Sequence, residues 1–210
     1  MMKLKQLISM GSLGLLIGGC SLNNHADTQT EMSSSQLIDL MHDGGYILYI
    51  RHAQTTEDWA DQASPQLDIN DCSTQRKLSS KGINQAEQIG EGIKFHAIPV
   101  ESVKTSEYCR AWQTADIVFG QYQKTDQLNF LPCETCNQDQ ISQYKQRIDP
   151  LLNQTPSVGK NIVLVGHDDP FEASTGIYPE PMGVTYVIKP IPNQPPKIIG
   201  KLTAEEWMVK

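Results

Sequence analysis

Residues Tyr46–Thr55 read YILYIRHAQT. The first five are aromatic or β-branched apart from one Leu, with no turn former among them, and they predict a buried β-strand. Asp43-Gly44-Gly45 just upstream reads as a turn. The apolar run stops at Arg51 and His52, and the polar residues that follow place this point at an edge of the core. In open parallel α/β sheets that edge, at the carboxyl ends of the strands, is where ligands bind.

Two further segments end in the same manner. Val100–Ser106 is a short strand closing on the hydroxyls of Thr105 and Ser106, with Arg110 four residues on. Ile162–Val165 is the most strand-like segment of the chain, and it runs into Gly166-His167-Asp168-Asp169-Pro170. Helices are expected at Gln36–Met41, with Ser35 as cap, from Ser79 or Ser80 in a region that Pro99 ends, at Tyr108–Phe119 and at about Gln140–Leu152. In the second of these, Ile83, Ala86, Ile89, Gly90 and Ile93 form one apolar stripe, with Asn84, Gln85, Glu87, Gln88, Glu91 and Lys94 facing water. Gly90 there permits close approach to the sheet. Gly183–Lys189 and Ile198–Leu202 read as further strands, the latter at an edge, before a helical turn at Ala204–Trp207. Alternating strands and helices predict a three-layer α/β/α domain with a mostly parallel central sheet.

The first twenty residues, MMKLKQLISMGSLGLLIGGC, stand apart from this pattern. Lysines at positions 3 and 5 precede an apolar stretch too short for a comfortable spanning helix, as in a secretory signal. Its end, Leu16-Ile17-Gly18-Gly19-Cys20, resembles a bacterial lipobox. That resemblance implies a signal peptide over residues 1–19, a lipid on Cys20 and, with Ser21 next, the periplasmic side of the outer membrane. The lipid would anchor the protein without spanning the bilayer. Ser21–Ser35 is polar and turn-rich and reads as a flexible tether. Residues 36–210 then make one domain, long enough for a real core.

The net charge of the chain is -7. Loss of the signal removes two lysines and no acids, leaving 15 basic against 24 acidic residues. This balance argues against nucleic acid or an anionic membrane face as the main partner, and leaves room for a small anionic ligand bound by local positive charge. Beyond Cys20 there are four cysteines, Cys72, Cys109, Cys133 and Cys136. In an exported chain an even number suggests disulfides, with three pairings open if all four are used. Cys133 and Cys136 alone also fit half of a zinc site or a redox pair.

The three polar strand ends share one rim if the sheet is parallel. Arg51-His52, Ser106 with Arg110, and His167 would then form a pocket of two guanidinium groups and two imidazoles, suited to a tetrahedral oxyanion. Arginine supplies rigid paired donors, and the helix start after Ser106 adds backbone N–H groups. One neutral imidazole can attack phosphorus while the other donates to the equatorial oxygens.

With these residues in view, the chain resembles the histidine phosphatase superfamily, the phosphoglycerate-mutase-like fold. Arg-His-Gly/Ala-x-Thr appears as RHAQT, Leu-Ser/Thr-x-x-Gly-x-x-Gln-Ala as LSSKGINQA (Leu78–Ala86), Ser-x-x-x-Arg-Ala-x-x-Thr-Ala as SEYCRAWQTA (Ser106–Ala115), and the second-histidine motif as VLVGHDD. The resemblance runs from about Ile47 to Lys189. It implies that His52 is the phosphorylated nucleophile, that Arg51, Arg110 and His167 hold the phosphoryl oxygens, and that Thr55 supports the phosphate loop. It is nearest to small exported members carrying DCxTQRxLS and SxYCR, here Asp71–Ser79 and Ser106–Arg110. Those imply a Cys72–Cys109 bridge pinning the Thr56–Arg76 segment over the site, with Cys133 and Cys136 a second pair or free thiols.

The implied reaction is phosphomonoester hydrolysis in two steps, with no metal or cofactor, the arginines supplying the charge and keeping His52 unprotonated. The proton donor is open at this level. One branch of the superfamily implies Asp168 and another Glu134; Asp169 and Glu172 are near, and small phosphoprotein phosphatases imply no dedicated acid. By analogy of size and compartment the substrate is expected to be a phosphosugar, an envelope glycolipid or another small phosphorylated molecule, and the protein is expected to be a monomer. The competing expectation is an envelope lipoprotein that binds phosphate with little or no turnover.

Overall fold

The structure, a computed structural model, describes residues 32–57, 67–131, 135–192 and 194–209. The YILYI run forms β1 (Ile47–Arg51), buried at all five positions. Its side chains alternate, Leu48 and Ile50 to one core and Ile47 and Tyr49 to the other, as a strand buried on both faces requires. Around it assemble β2 (Val100–Thr105), β3 (Gln123–Lys124), β4 (Asn161–Gly166), β5 (Thr185–Lys189) and β6 (Lys197–Leu202). They make one six-stranded sheet in the order β3-β2-β4-β1-β5-β6. The pairs β1/β4, β2/β4 and β2/β3 are parallel, and β5 pairs antiparallel with both β1 and β6. The sheet is thus mixed but mostly parallel, with β5 the reversed strand.

Helices cover both faces. Helix α1 (Ser34–Asp43), α2 (Ser80–Phe95) and α3 (Cys109–Phe119) pack with Trp207 on one side. Helix α4 (Gln138–Leu152) and α5 (Asp168–Thr175) pack on the other through Ile148, Leu151, Leu152 and Phe171. The three-layer α/β/α expectation matches this arrangement.

Local departures have physical causes. Helix α1 starts earlier than expected because Ser33, not Ser35, caps it, in a reciprocal capping box with Gln36. The apolar stripe of α2 is rotated at its N-terminal end. Ile83 is 41% exposed, while Gln85, expected in water, is buried. There α2 lies against the loop after β1, so close that a Cβ at Gly82 would sit 2.0 Å from the Gln54 carbonyl oxygen. Gln85 is drawn inward by polar work, accepting from Gln54 N–H at 3.0 Å and donating to the Met182 carbonyl at 3.2 Å. Gly90 does permit a close approach, but to Val118 of α3 rather than to the sheet.

Candidate active site

Register builds the site. Arg51 pairs with Gly166 across β1/β4, and Thr105 with Val165 across β2/β4. His52, Ser106 and His167 therefore each stand one residue past the ends of three adjacent strands. Backbone bonds fasten them, His52 N–H to Gly166 O at 2.9 Å and Ser106 N–H to Val165 O at 3.0 Å. Arg110 arrives from the first turn of α3. The structure thus brings Arg51, His52, Arg110 and His167 together, all buried. The two imidazoles meet edge to face with centroids 5.4 Å apart.

His52 has a defined tautomer. Its Nδ1 lies 2.9 Å from the Ala53 carbonyl oxygen, which can only accept, so Nδ1 carries the hydrogen. Nε2 is left as a lone pair and accepts from Arg110 Nε at 3.0 Å. Burial, then the Arg110 charge, with Arg51 and Arg76 adding, outweighs the bond to Ala53 and holds His52 well below the usual imidazole range. Desolvation is therefore the larger cause of neutrality, ahead of the arginines that the sequence suggested. Burial followed by Arg110, His52, Arg76 and Arg51 lowers His167 in the same way. Arg110 is itself steered by aromatic faces, 5.0 Å from the Tyr108 ring centre and 5.7 Å from that of Phe130.

Arg51 faces Asp168. Its Nη2 donates to Asp168 Oδ2 at 2.5 Å and its Nη1 to the Pro179 carbonyl at 2.9 Å. Asp168 Oδ2 also accepts from the Tyr178 hydroxyl at 2.8 Å, and Oδ1 from Asp169 N–H at 3.2 Å. Asp168 is thus an acceptor three times over, aiming Arg51. Asp169, half-buried, is pushed up to about 6 by burial first and then by Asp168 and Glu172. Glu172 is exposed on α5. Of these three carboxylates, Asp168 alone lines the cleft of about 830 Å³ that opens beside Arg51 and Thr55. Glu134 lies outside the described residues, as do Cys133 and the expected lipidation site Cys20.

A third buried arginine, Arg76, was not singled out from the sequence. Its Nε and Nη2 donate to Thr55 Oγ1 at 3.2 and 2.6 Å, so Thr55 serves the loop by holding this guanidinium at the cleft. Arg76 sits in an aperiodic polar stretch, and the one available signal was its place in the DCxTQRxLS signature. The Cys72–Cys109 bridge is present, with Cα atoms 5.6 Å apart, and Cys136 is disulfide-bonded as well. Cys109 N–H, at the start of α3, donates to Gln75 Oε1 at 2.9 Å. That helix-start donor, expected to face an anion, is taken by the bridged loop instead.

Fold and site together define a phosphoglycerate-mutase-like α/β protein with a cluster of two histidines and three arginines at the carboxyl rim of its sheet. The model of the histidine phosphatase superfamily (branch 1) matches residues 47–129. That match, over less than half of the chain, and the fold agree with the resemblance carried by the motifs. Among solved structures, the protein histidine phosphatase SixA complexed with tungstate is 15% identical, with a TM-score of 0.52, over 76% of this chain and 97% of its own. The phosphoserine phosphatase of Entamoeba histolytica, a mutant in complex with phosphoserine, is 15% identical with a TM-score of 0.54, over 77% and 98%. An Escherichia coli protein described as an alpha-ribazole-5′-P phosphatase is 16% identical with a TM-score of 0.56, over 77% and 98%. At these identities the likeness concerns the fold. No curated protein matches the chain. The family match supports phosphatase activity in general terms.

Proposed function

We propose that the protein is a histidine phosphatase that hydrolyses phosphomonoesters through a phosphohistidine at His52, without a metal or cofactor. The observation that carries this is the state of His52: neutral, with hydrogen on Nδ1 and the Nε2 lone pair set among Arg51, Arg76, Arg110 and His167. Nε2 attacks phosphorus in line with the leaving alcohol. For this, Arg110 Nε must leave the lone pair and take a phosphoryl oxygen. The arginines gather the charge that grows on the equatorial oxygens. Water then cleaves the N–P bond and restores His52.

The substrate in this reading is a small polar phosphate ester, which suits a cleft lined by Lys81, Gln85, Glu180 and Tyr178 beyond the arginines. With a signal over residues 1–19 and a lipid on Cys20, the enzyme works as a monomer at the periplasmic face of the outer membrane, on a phosphosugar or envelope glycolipid. A second reading, a phosphate-binding lipoprotein of little turnover, is favoured by one observation: Arg51 is paired to Asp168 and Arg110 to His52. Turnover of phenyl phosphate and of a sugar phosphate in the presence of a chelator separates the two. Hydrolysis of both supports the enzyme. Binding of inorganic phosphate with hydrolysis of neither supports the binding protein.

A further inference from the structure

The two ring nitrogens of His167 have different surroundings. Nε2 lies 2.9 Å from Ser106 Oγ, whereas Nδ1 is buried with no hydrogen-bond partner. Asn129 decides which nitrogen bears the hydrogen. The Glu107 backbone N–H donates to Asn129 Oδ1 at 2.8 Å, and Asn129 Nδ2 donates to the Glu107 carboxylate at 2.7 Å. Both bonds fix the amide orientation, since a backbone N–H only donates and a carboxylate only accepts. Asn129 Oδ1 is also 2.9 Å from Ser106 Oγ, so the one hydroxyl proton of Ser106 points at Asn129. Ser106 Oγ accepts from Tyr108 N–H at 3.2 Å, and its remaining lone pair accepts from His167. Nε2 therefore carries the hydrogen, and Nδ1 of the neutral ring is a bare lone pair.

We propose that Asn129, acting through Ser106, locks His167 in the Nε2–H tautomer, so that Nδ1 meets the incoming phosphoryl group as a proton acceptor. This rests on the phosphatase reading and deepens it: the substrate enters as a phosphate monoanion. The P–O–H bond gives up its proton to Nδ1, the electron pair stays on oxygen, and an N–H bond forms. The ring becomes an imidazolium with one N–H on Ser106 and the other on the now dianionic phosphoryl group. Among the described residues, the charged and titratable groups around the ring are Arg110, His52, Arg76 and Arg51, with Tyr108 edge-on at 5.2 Å. The arginine charges disfavour a proton taken from bulk water. A phosphoryl group brings the proton together with the negative charge that retains it. Asn129 is a positioning residue here and touches no reacting atom.

Nitrogen-15 NMR of histidine-labelled protein tests this without turnover, because bare and protonated ring nitrogens differ widely in shift. Above neutral pH, His167 at rest should show hydrogen on Nε2 and a bare Nδ1. Saturation with inorganic phosphate at mildly acidic pH, where the ligand is the monoanion and the resting ring is still neutral, should convert Nδ1 to N–H. In Asn129→Leu the Ser106 proton is free to turn to Nε2, and the resting ring should change to the Nδ1–H tautomer. Ser106→Ala, which removes the acceptor on Nε2, should likewise populate Nδ1–H if Asn129→Leu does not fold. A resting wild-type His167 with hydrogen on Nδ1, or an Nδ1 that stays bare with inorganic phosphate, overturns the proposal. Lack of any phosphohistidine or hydrolysis would instead refute the phosphatase reading, and the two failures are read in separate experiments.

Discussion

Removing the Cys72–Cys109 bridge through the paired change Cys72→Ser and Cys109→Ser should cost stability and activity together. The cysteines are 37 residues apart in sequence. Closing a loop of that length removes about 4 kcal/mol of chain entropy from the unfolded state. For a domain of this size each kcal/mol moves the unfolding midpoint by about 2–4 °C, so the variant should melt roughly 8–15 °C lower. Scanning calorimetry without reductant measures this, and the paired substitution leaves the disulfide at Cys136 intact, as reduction of the wild type would not. Activity should fall below the melting range as well. The bridged turn carries Gln75, which binds Cys109 N–H next to Arg110, and it leads into Arg76, which binds Thr55. A variant with an unchanged midpoint and unchanged KM would refute this coupling.

Arg110→Ala should lower kcat by roughly 10²–10³-fold, the loss expected for one oxyanion donor, and Arg76→Ala should fall in the same range, measured on phenyl phosphate. Asp168→Asn should weaken hydrolysis of alkyl and aryl phosphates alike, since the contacts of Asp168 are those of an acceptor that aims Arg51; a loss confined to alkyl esters would make Asp168 the proton donor. Stability should fall as pH drops below about 6.5, because the unfolded chain protonates both His52 and His167 while the fold keeps them neutral. Asp169, raised to about 6, works the other way, since the fold holds a proton there that the unfolded chain releases until the pH falls to the ordinary aspartate range. Two histidine protons against one leave net acid destabilisation, and Asp169→Asn should steepen it in denaturant titrations at stepped pH. A flat profile between about pH 6.5 and 5 would contradict the buried neutral pair.

Strand ends were legible because a buried strand declares itself by composition and its end by the first charge, as at Ile50-Arg51-His52 and Val165-Gly166-His167. Parallel order then follows from alternation with helices, and the rim from parallel order. What periodicity cannot carry is a polar side chain turned inward. Gln85 has the pattern of a solvated helix position and is buried because the Gln54 and Met182 backbone groups need partners. Arg76 and Asn129 lie in irregular segments, where no repeat marks which face is inside. The pairing of Arg51 with Asp168 was illegible for another reason, since the resemblance to one branch made Asp168 a candidate proton donor and only the register across β1/β4 places the carboxylate on the guanidinium.

In the proposed mechanism His52 becomes covalently phosphorylated. Acid-labile phosphohistidine can be trapped by rapid denaturation during turnover of an aryl phosphate or a panel of phosphorylated sugars and envelope lipids, and located by mass spectrometry under alkaline handling. A single phosphoryl group is expected on His52, formed and lost at rates compatible with turnover and absent from His52→Ala, which should also be inactive. Hydrolysis that proceeds with no phosphohistidine, or a His52→Ala protein that still turns over, would contradict it.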